Sequence, residues 1–403
     1  MRKGWEIKRL GDVAKAIYGY TDKASFEKVG PKFLRITDIQ DDGVNWESIP
    51  YCRINEIEFE KYKLSSGDIV FARTGATTGK SYLVENPPKS VFASYLIKVH
   101  ISTKDLLPNY LFLFFQTKTY WDKINAGVSG SAQGGFNATK LSELEIPFPP
   151  TKEQQQIVSI LDEAFAAIDQ AKENVQRNLL NAKELFQSEL NIIFENKGEG
   201  WTEKKLNEVC EVKDGTHDSP KYLEKGIPFV TQKNIRESGL SFGNTRFITQ
   251  TDHDKFFNRS NVSYGDILLS MIGANRGMAC IVDDKRVFSI KNVCLIKANE
   301  NINQNYLLYY LKSQKAINFV KTSSKGGAQE FIGLTELRNF PTPLAPLKVQ
   351  KKIVNQLDTL STETKNLENI YQQKLNALEE LKKSILQKAF SGELTLNKKA
   401  VVS

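Results

Sequence analysis

The sequence is poor in the residues on which most protein chemistry depends. Its 403 residues include four cysteines and three histidines. Cys52, Cys210, Cys280 and Cys294 lie far apart with no C-x-x-C pair, which argues against a disulfide framework and against a structural zinc site. No apolar run approaches the roughly 20 residues that a membrane span needs. The amino-terminal segment MRKGWEIKRL has basic residues but no apolar stretch behind them, so no secretory leader and no membrane partner are expected, and a cytoplasmic setting is. What remains is an ordinary globular composition, 40% hydrophobic and 25% charged, in a chain long enough for two or three folded units. The net charge is +8. Residues 1–150 and 200–346 are mildly basic, whereas 151–199 are net acidic. Such a balance suits a polyanionic partner, because neutralised phosphates release counterions; charge alone is equally compatible with simple solubility.

Comparing the sequence with itself gives the strongest signal. A shift of 196 residues places Trp5, Leu10 and Val13 on Trp201, Leu206 and Val209, and residues 109–111 on residues 305–307. Between residues 141–162 and 337–358, nine of 22 positions are identical, including Pro150/Pro346, Gln154/Gln350, Ile157/Ile353 and Leu161/Leu357. The segments GDIVFARTGATTG (67–79) and GDILLSMIGANRG (265–277) match at a shift of 198. The chain is therefore a tandem pair. Each repeat opens with short β-type runs such as DIVFAR (68–73) and YLIKVHI (95–101), separated by turn residues. These predict mixed α/β (α+β) globular domains over residues 1–150 and 197–346.

A helical pattern follows each domain, over 151–196 and 347–394, with a tail at 395–403. In the first helix, Ile157, Leu161, Ile168, Val175, Leu179 and Phe186 recur at steps of three, four and seven; Ile353, Leu357, Leu367, Leu378, Leu381 and Ile385 do so in the second. One apolar stripe of that period, with no internal Pro or Gly, predicts a long helix in need of a partner. About 44 residues would span about 65 Å. The sequence order favours an antiparallel two-helix coiled coil between two pseudo-two-fold-related globules; two independent helices, each on its own domain, are the alternative.

Candidate catalytic motifs fail one by one. Residues 75–81 approach a phosphate-binding loop, but Thr74 stands where the first glycine is required, and the second copy has neither the Lys nor the Ser. Asn86-Pro87-Pro88-Lys89 carries a lysine in place of the aromatic residue of an amino-methyltransferase motif. The E-x-K spacings at Glu6 and Glu211 are too common to weigh. His100, His217 and His253 belong to no nucleophile or general-base motif. The surviving candidates are two sets of loops with groups suited to phosphates and base edges. In the first repeat they are Arg73, Thr74, Thr77, Thr78 and Lys80, with Ser129, Ser131 and Gln133, and also Arg35 and Thr37. In the second they are Thr231, Gln232, Lys233, Asn234, Asn275, Arg276, Lys325 and Gln329. The same scaffold with different polar tips would read two different sequences; ordinary solvated loops are the competing reading.

The chain resembles the DNA-specificity subunits of type I restriction-modification enzymes. WEIKRLGDV (5–13), LRITDI (34–39), IPFPPTKEQQQIV (146–158), its repeat PLAPLKVQKKIV (343–354) and LQKAFSGEL (386–394) carry the resemblance, over nearly the whole chain. The first helix ends in IIFENKGE, a departure from AFSGE. The resemblance implies two target-recognition domains, a central antiparallel coiled coil and no catalytic activity in this chain. It further implies double-stranded DNA as partner, two modification subunits that carry S-adenosylmethionine and methylate adenine, and restriction subunits that use ATP and Mg. Each domain would read half of a bipartite asymmetric site, with the coiled coil fixing the gap and docking the methyltransferase subunits. No metal or cofactor is expected on this chain. A type IIB specificity subunit, an enzyme acting alone and a scaffold without DNA binding remain as alternatives.

Overall fold

A computed structural model describes residues 4–40, 43–129, 135–327 and 330–394, with only the backbone of Ser129. The chain forms two compact units, Met1–Val175 with Gln373–Ser403, and Gln176–Gln372.

In the first unit, four antiparallel strands lie in the order Ala14–Tyr18, Leu96–Ile101, Ile69–Ala72, Ser81–Leu83. Every residue of Ile69–Ala72 is buried, as expected for a central strand covered on both faces. Glu6–Arg9 pairs antiparallel with Glu145–Phe148, and Lys32–Leu34 pairs parallel with Ser90–Phe92. The main core joins Ile69, Phe71, Ile97 and Val99 to Tyr110, Phe114 and Tyr120.

The second unit repeats this plan. Its sheet runs Cys210–Asp214, Val293–Ala298, Ile267–Ser270, Ala279–Ile281, and Thr202–Lys205 pairs with Pro341–Leu344. The parallel pair Ile227–Val230 and Ser289–Ile290 gains a third strand, Arg246–Ile248. A short hairpin, Ile235–Arg236 with Gly239–Leu240, is also present. All four cysteines are buried and unpaired. Burial pushes the thiols of Cys52, Cys210 and Cys280 up to about 12, so they stay protonated and unreactive at neutral pH.

The two long helices are Thr151–Glu195 and Leu347–Ser391, 45 residues each. Their starts are pinned alike. Gln154, fully buried, accepts from Leu107 N at 2.9 Å and donates to Asp105 O and Pro149 O, both at 2.8 Å. Gln350 accepts from Asn303 N at 2.7 Å and donates to Asn301 O and Ala345 O at 3.1 and 2.7 Å. Both repeats thus place the duplicated glutamine where it closes three backbone bonds.

Each unit's core draws on parts of both helices. In the first unit Ile157 and Leu161 join Leu386, Ala389 and Leu394. Lys172 meets Glu379 at 2.5 Å and Lys382 meets Asp169 at 3.3 Å, so these two segments run antiparallel. In the second unit Leu190 and Phe194 join Ile353, Val354 and Leu357. Phe390 packs on Tyr110 with ring centroids 5.0 Å apart, and Phe194 packs on Tyr306 at 5.3 Å. These two phenylalanines are themselves 196 residues apart.

The expected stripe needs correction in two places. Ile157, Leu161, Ile168, Ile353 and Leu357 are buried, and Val175, Leu179, Phe186, Leu378 and Ile385 are half-buried. Leu367 and Leu381, however, are exposed. At about 100° per residue, Leu367 lies roughly 80° around the helix from Leu357, and Leu381 roughly 60° from Leu378, at the margin of the apolar face. Thr364, Leu386 and Ala389 take the buried positions, and the Thr364 hydroxyl donates to Leu360 O at 2.9 Å.

The second helix ends in a Schellman motif. Gly392 has φ +83°, Glu393 N donates to Lys388 O at 3.1 Å and Gly392 N to Ala389 O at 3.4 Å. The turn carries Leu394 into the core of the first unit, which is the physical content of AFSGEL.

Candidate nucleic-acid interface

In both units the chain leaves the central sheet at the same end through equivalent loops. In the first unit these follow Tyr18, follow Ala72 and precede Leu96. In the second they follow Asp214, follow Ser270 and precede Val293. Gly19 and Gly215 close the first strands. A Cβ there would stand 2.1 Å from Ala93 O or 2.3 Å from Ile290 O, so only glycine permits the backbone crossing.

The turn after the central strand is also shared. Gly75 and Gly79 have φ +78° and +96°, and Gly273 and Gly277 have +73° and +86°. Behind it, Phe136 N donates to Arg73 O and Ile332 N to Met271 O, each at 2.9 Å.

The side chains on this common frame differ. In the first unit, Tyr18 (42% exposed) and Tyr95 (58% exposed) flank the turn. The Arg73 guanidinium lies over the Tyr18 ring, 5.1 Å from its centroid, and Arg73 N donates to Tyr95 O at 3.2 Å. Tyr18 is held in turn by a bond from Ala138 N to its hydroxyl at 3.0 Å. Thr77 is exposed, and Thr74 and Lys80 are half-buried.

In the second unit, Asp214 replaces Tyr18, Met271 replaces Arg73 and Asn292 replaces Tyr95. Asp214 Oδ1 accepts from Arg259 Nε and Nη2 at 3.1 and 2.7 Å, and Oδ2 lies 2.9 Å from His217 Nε2. The other imidazole nitrogen lies 2.7 Å from Asn292 Oδ1. Asp214 is buried while His217 and Arg259 reach solvent. A cleft of about 480 Å³, lined by Asp214, His217, Met271, Asn292 and Phe331, opens here.

The sequence-chosen residues divide accordingly. Thr78 is buried, and its hydroxyl donates to Gly75 O at 2.7 Å; it holds the turn rather than facing solvent. Asn234 is likewise buried. Its Oδ1 accepts from Thr231 N and Thr231 Oγ1, and its Nδ2 donates to Ser241 O and Thr245 Oγ1. That amide has no remaining capacity for a base edge, because short polar side chains satisfy nearby backbone first. Arg35 holds Asp38 through Nε at 3.0 Å and Nη2 at 2.7 Å, in the turn equivalent to Thr231–Asn234. Arg276 donates to Ser324 Oγ at 3.0 Å and pairs with Glu330. Lys325 pairs with Glu336 at 2.7 Å but remains exposed. Thr37, Lys233 and Asn275 are exposed, and Gln232 is half-buried. Ser131, Gln133, Gln329 and the Ser129 side chain lie outside the described residues.

Tyr18, Tyr95, Asp214, Arg259, Asn292 and Phe331 escaped the sequence reading. For Tyr18 and Asp214 a signal was present in the 196-residue shift, which aligns Tyr18-Gly19 with Asp214-Gly215.

The histidines have ordinary structural partners. His100 Nδ1 lies 2.8 Å from buried Asp68, and His253 Nδ1 lies 2.8 Å from Ser289 Oγ. Among the described residues no cluster of three or more His, Cys, Asp or Glu could hold a metal ion, and no helix is long and apolar enough to cross a membrane.

A family model described as "Type I restriction modification DNA specificity domain" matches residues 2–177 and 198–380. The sequence is similar to the type I restriction enzyme MjaVIII specificity subunit of Methanocaldococcus jannaschii, 22% identical with 97% of this chain and 93% of the relative covered. The fold is similar to the HsdS subunit from Thermoanaerobacter tengcongensis, with a TM-score of 0.65, 19% identity and 98% of each chain covered. A chain from a structure concerned with complex assembly and conformational transition of the type I R-M system gives a TM-score of 0.74, at 19% identity, covering 98% of this chain and 99% of that one.

Proposed function

The chain belongs to the type I restriction-modification DNA specificity family, and from that premise we propose that the sheet end of each unit reads one half of a split, asymmetric site on double-stranded DNA. The observation that carries this reading is the pairing of a common backbone frame with unlike side chains: Tyr18, Arg73 and Tyr95 in one unit, Asp214, Met271 and Asn292 in the other. Two identical frames with identical tips would read a repeated sequence; unlike tips read unlike ones. Solvent-accessible cations, amides and hydroxyls are the groups that discriminate base edges, while lysines elsewhere on a chain of net charge +8 suit phosphates.

As a specificity subunit, the chain is the non-catalytic member of its complex. In this reading two modification subunits dock on it and methylate adenine with S-adenosylmethionine, and restriction subunits supply ATP- and Mg-dependent translocation and cleavage. The unread gap is set by the long helices.

The test is to co-express the chain with its cognate modification subunit in a methylation-free host and map methyladenine across the genome. A split, asymmetric motif with a fixed gap, lost when this chain is omitted, is the expected result. A continuous motif, or methylation without this chain, would overturn it.

A further inference from the structure

The Arg73 guanidinium has an unusual setting. Its Nε is sealed from solvent and has no acceptor among the described residues. Its two Nη groups are bonded to no described residue, and the guanidinium carbon lies over the Tyr18 ring, 5.1 Å from its centroid. An arginine whose work is to stabilise the fold spends its fork on a carboxylate or carbonyl, as Arg35 does on Asp38 and Arg259 on Asp214. Arg73 instead lies over an aromatic ring, a contact that uses no donor and leaves the end-on pair free. It also sits on a glycine turn at the sheet end, beside exposed Tyr95.

We propose that Arg73 is the guanine-reading residue of the first unit, donating from Nη1 and Nη2 to O6 and N7 in the major groove, and that Tyr18 is its positioning residue. The inference deepens the proposed function and rests on the sheet end being the DNA surface. The donor geometry is the one that matches guanine, the commonest specific arginine contact. With Nε sealed, the side-on fork that uses Nε and Nη2 is unavailable, and the end-on fork remains. The second unit has buried Met271 at this position, so this contact belongs to one half-site only.

The experiment maps methyladenine for the co-expressed complex carrying the wild-type chain, Arg73→Lys, Arg73→Ala, Tyr18→Phe or Tyr18→Leu, with thermal unfolding of each complex to confirm folding. The wild-type motif is expected to contain a G·C pair in the half read by the first unit. Arg73→Ala, which removes every donor, should make that one position degenerate, reducing discrimination by roughly 10- to 100-fold and leaving the other half-sequence intact. Arg73→Lys, which keeps a charge but not the planar fork, should weaken the same position less. Tyr18→Phe, which keeps the ring, should retain the guanine, and Tyr18→Leu should relax it.

Full discrimination with Arg73→Ala would mean that Arg73 reads no base and would overturn the proposal. So would relaxation of the other half, or a first half-site without a G·C pair. Guanine retained with Tyr18→Leu would remove the positioning role. Failure of the wild-type chain to give a split motif would instead refute the underlying reading of the sheet end, so the two failures are distinguishable.

Discussion

The two units share the buried bonds that start their long helices and diverge in the side chains at the sheet end. Gln154 and Gln350 each close three backbone bonds. Tyr110 and Tyr306 donate to Pro147 O and Pro343 O at 3.0 and 2.9 Å. At the sheet end of the same folds, Tyr18 faces Arg73 in one unit while Asp214 faces Arg259 and His217 in the other. Burial demands a partner for each polar group, and one solution suffices for both copies. At the sheet end each copy meets that demand differently, buried Asp214 through Arg259 and His217 and half-buried Arg73 against the Tyr18 ring.

The comparison can be broken from the inside outward. The largest effect should come from Gln154→Leu or Gln350→Leu, each of which strands three backbone groups. At about 1–3 kcal/mol for a buried unpaired group, each should cost roughly 3 kcal/mol or more, with similar values for the two. Urea unfolding of the full chain measures the loss, and hydrogen exchange should locate it in the altered unit. A large inequality would mean that the buried frames are not energetically equivalent.

Asp214→Ala should come next, at about 2 kcal/mol, because charge-assisted bonds to Arg259 and His217 are lost. Methylation mapping should show the second half-site relaxed and the first unchanged. Tyr110→Phe and Tyr306→Phe should each cost about 1 kcal/mol, equal within error, by thermal unfolding.

The smallest effect belongs to the surface of the helices. Lys172 bonded to Glu379 holds that carboxyl below the ordinary carboxylate range. A depressed folded-state pKa gives stability that is present above the ordinary range and disappears as pH falls through the folded value. Because the pair is at the surface, Glu379→Gln should cost no more than about 0.5 kcal/mol at neutral pH, and less in 1 M salt. A larger, salt-insensitive loss would show that this pair holds the helical segments together.

The repeats, the strands around 67–73 and 95–101, and the long helices were legible because burial imposes periodicity and duplicated residues. The helix faces were less so: Leu367 and Leu381 are apolar and near the stripe, yet fall beyond its edge. Polar residues were harder still. Thr78 and Asn234 look like recognition groups by type, but each bonds to its own turn. Tyr18 and Tyr95 look like core residues by type and are exposed. A side chain's chemistry is written in the sequence; whether its neighbours have already claimed it is not.

The first unit is assembled from two distant stretches, and this sets an order of events during synthesis. The second unit, Gln176–Gln372, is continuous and can complete its core as soon as it emerges. The first must wait for Leu386, Ala389 and Leu394 to cover Ile157, Leu161 and Tyr110. At about 5–20 residues per second, that interval is roughly 10–40 s, during which a nearly finished domain exposes an apolar patch on the ribosome. The segment that covers the first unit's core is therefore made only after the whole of the second unit.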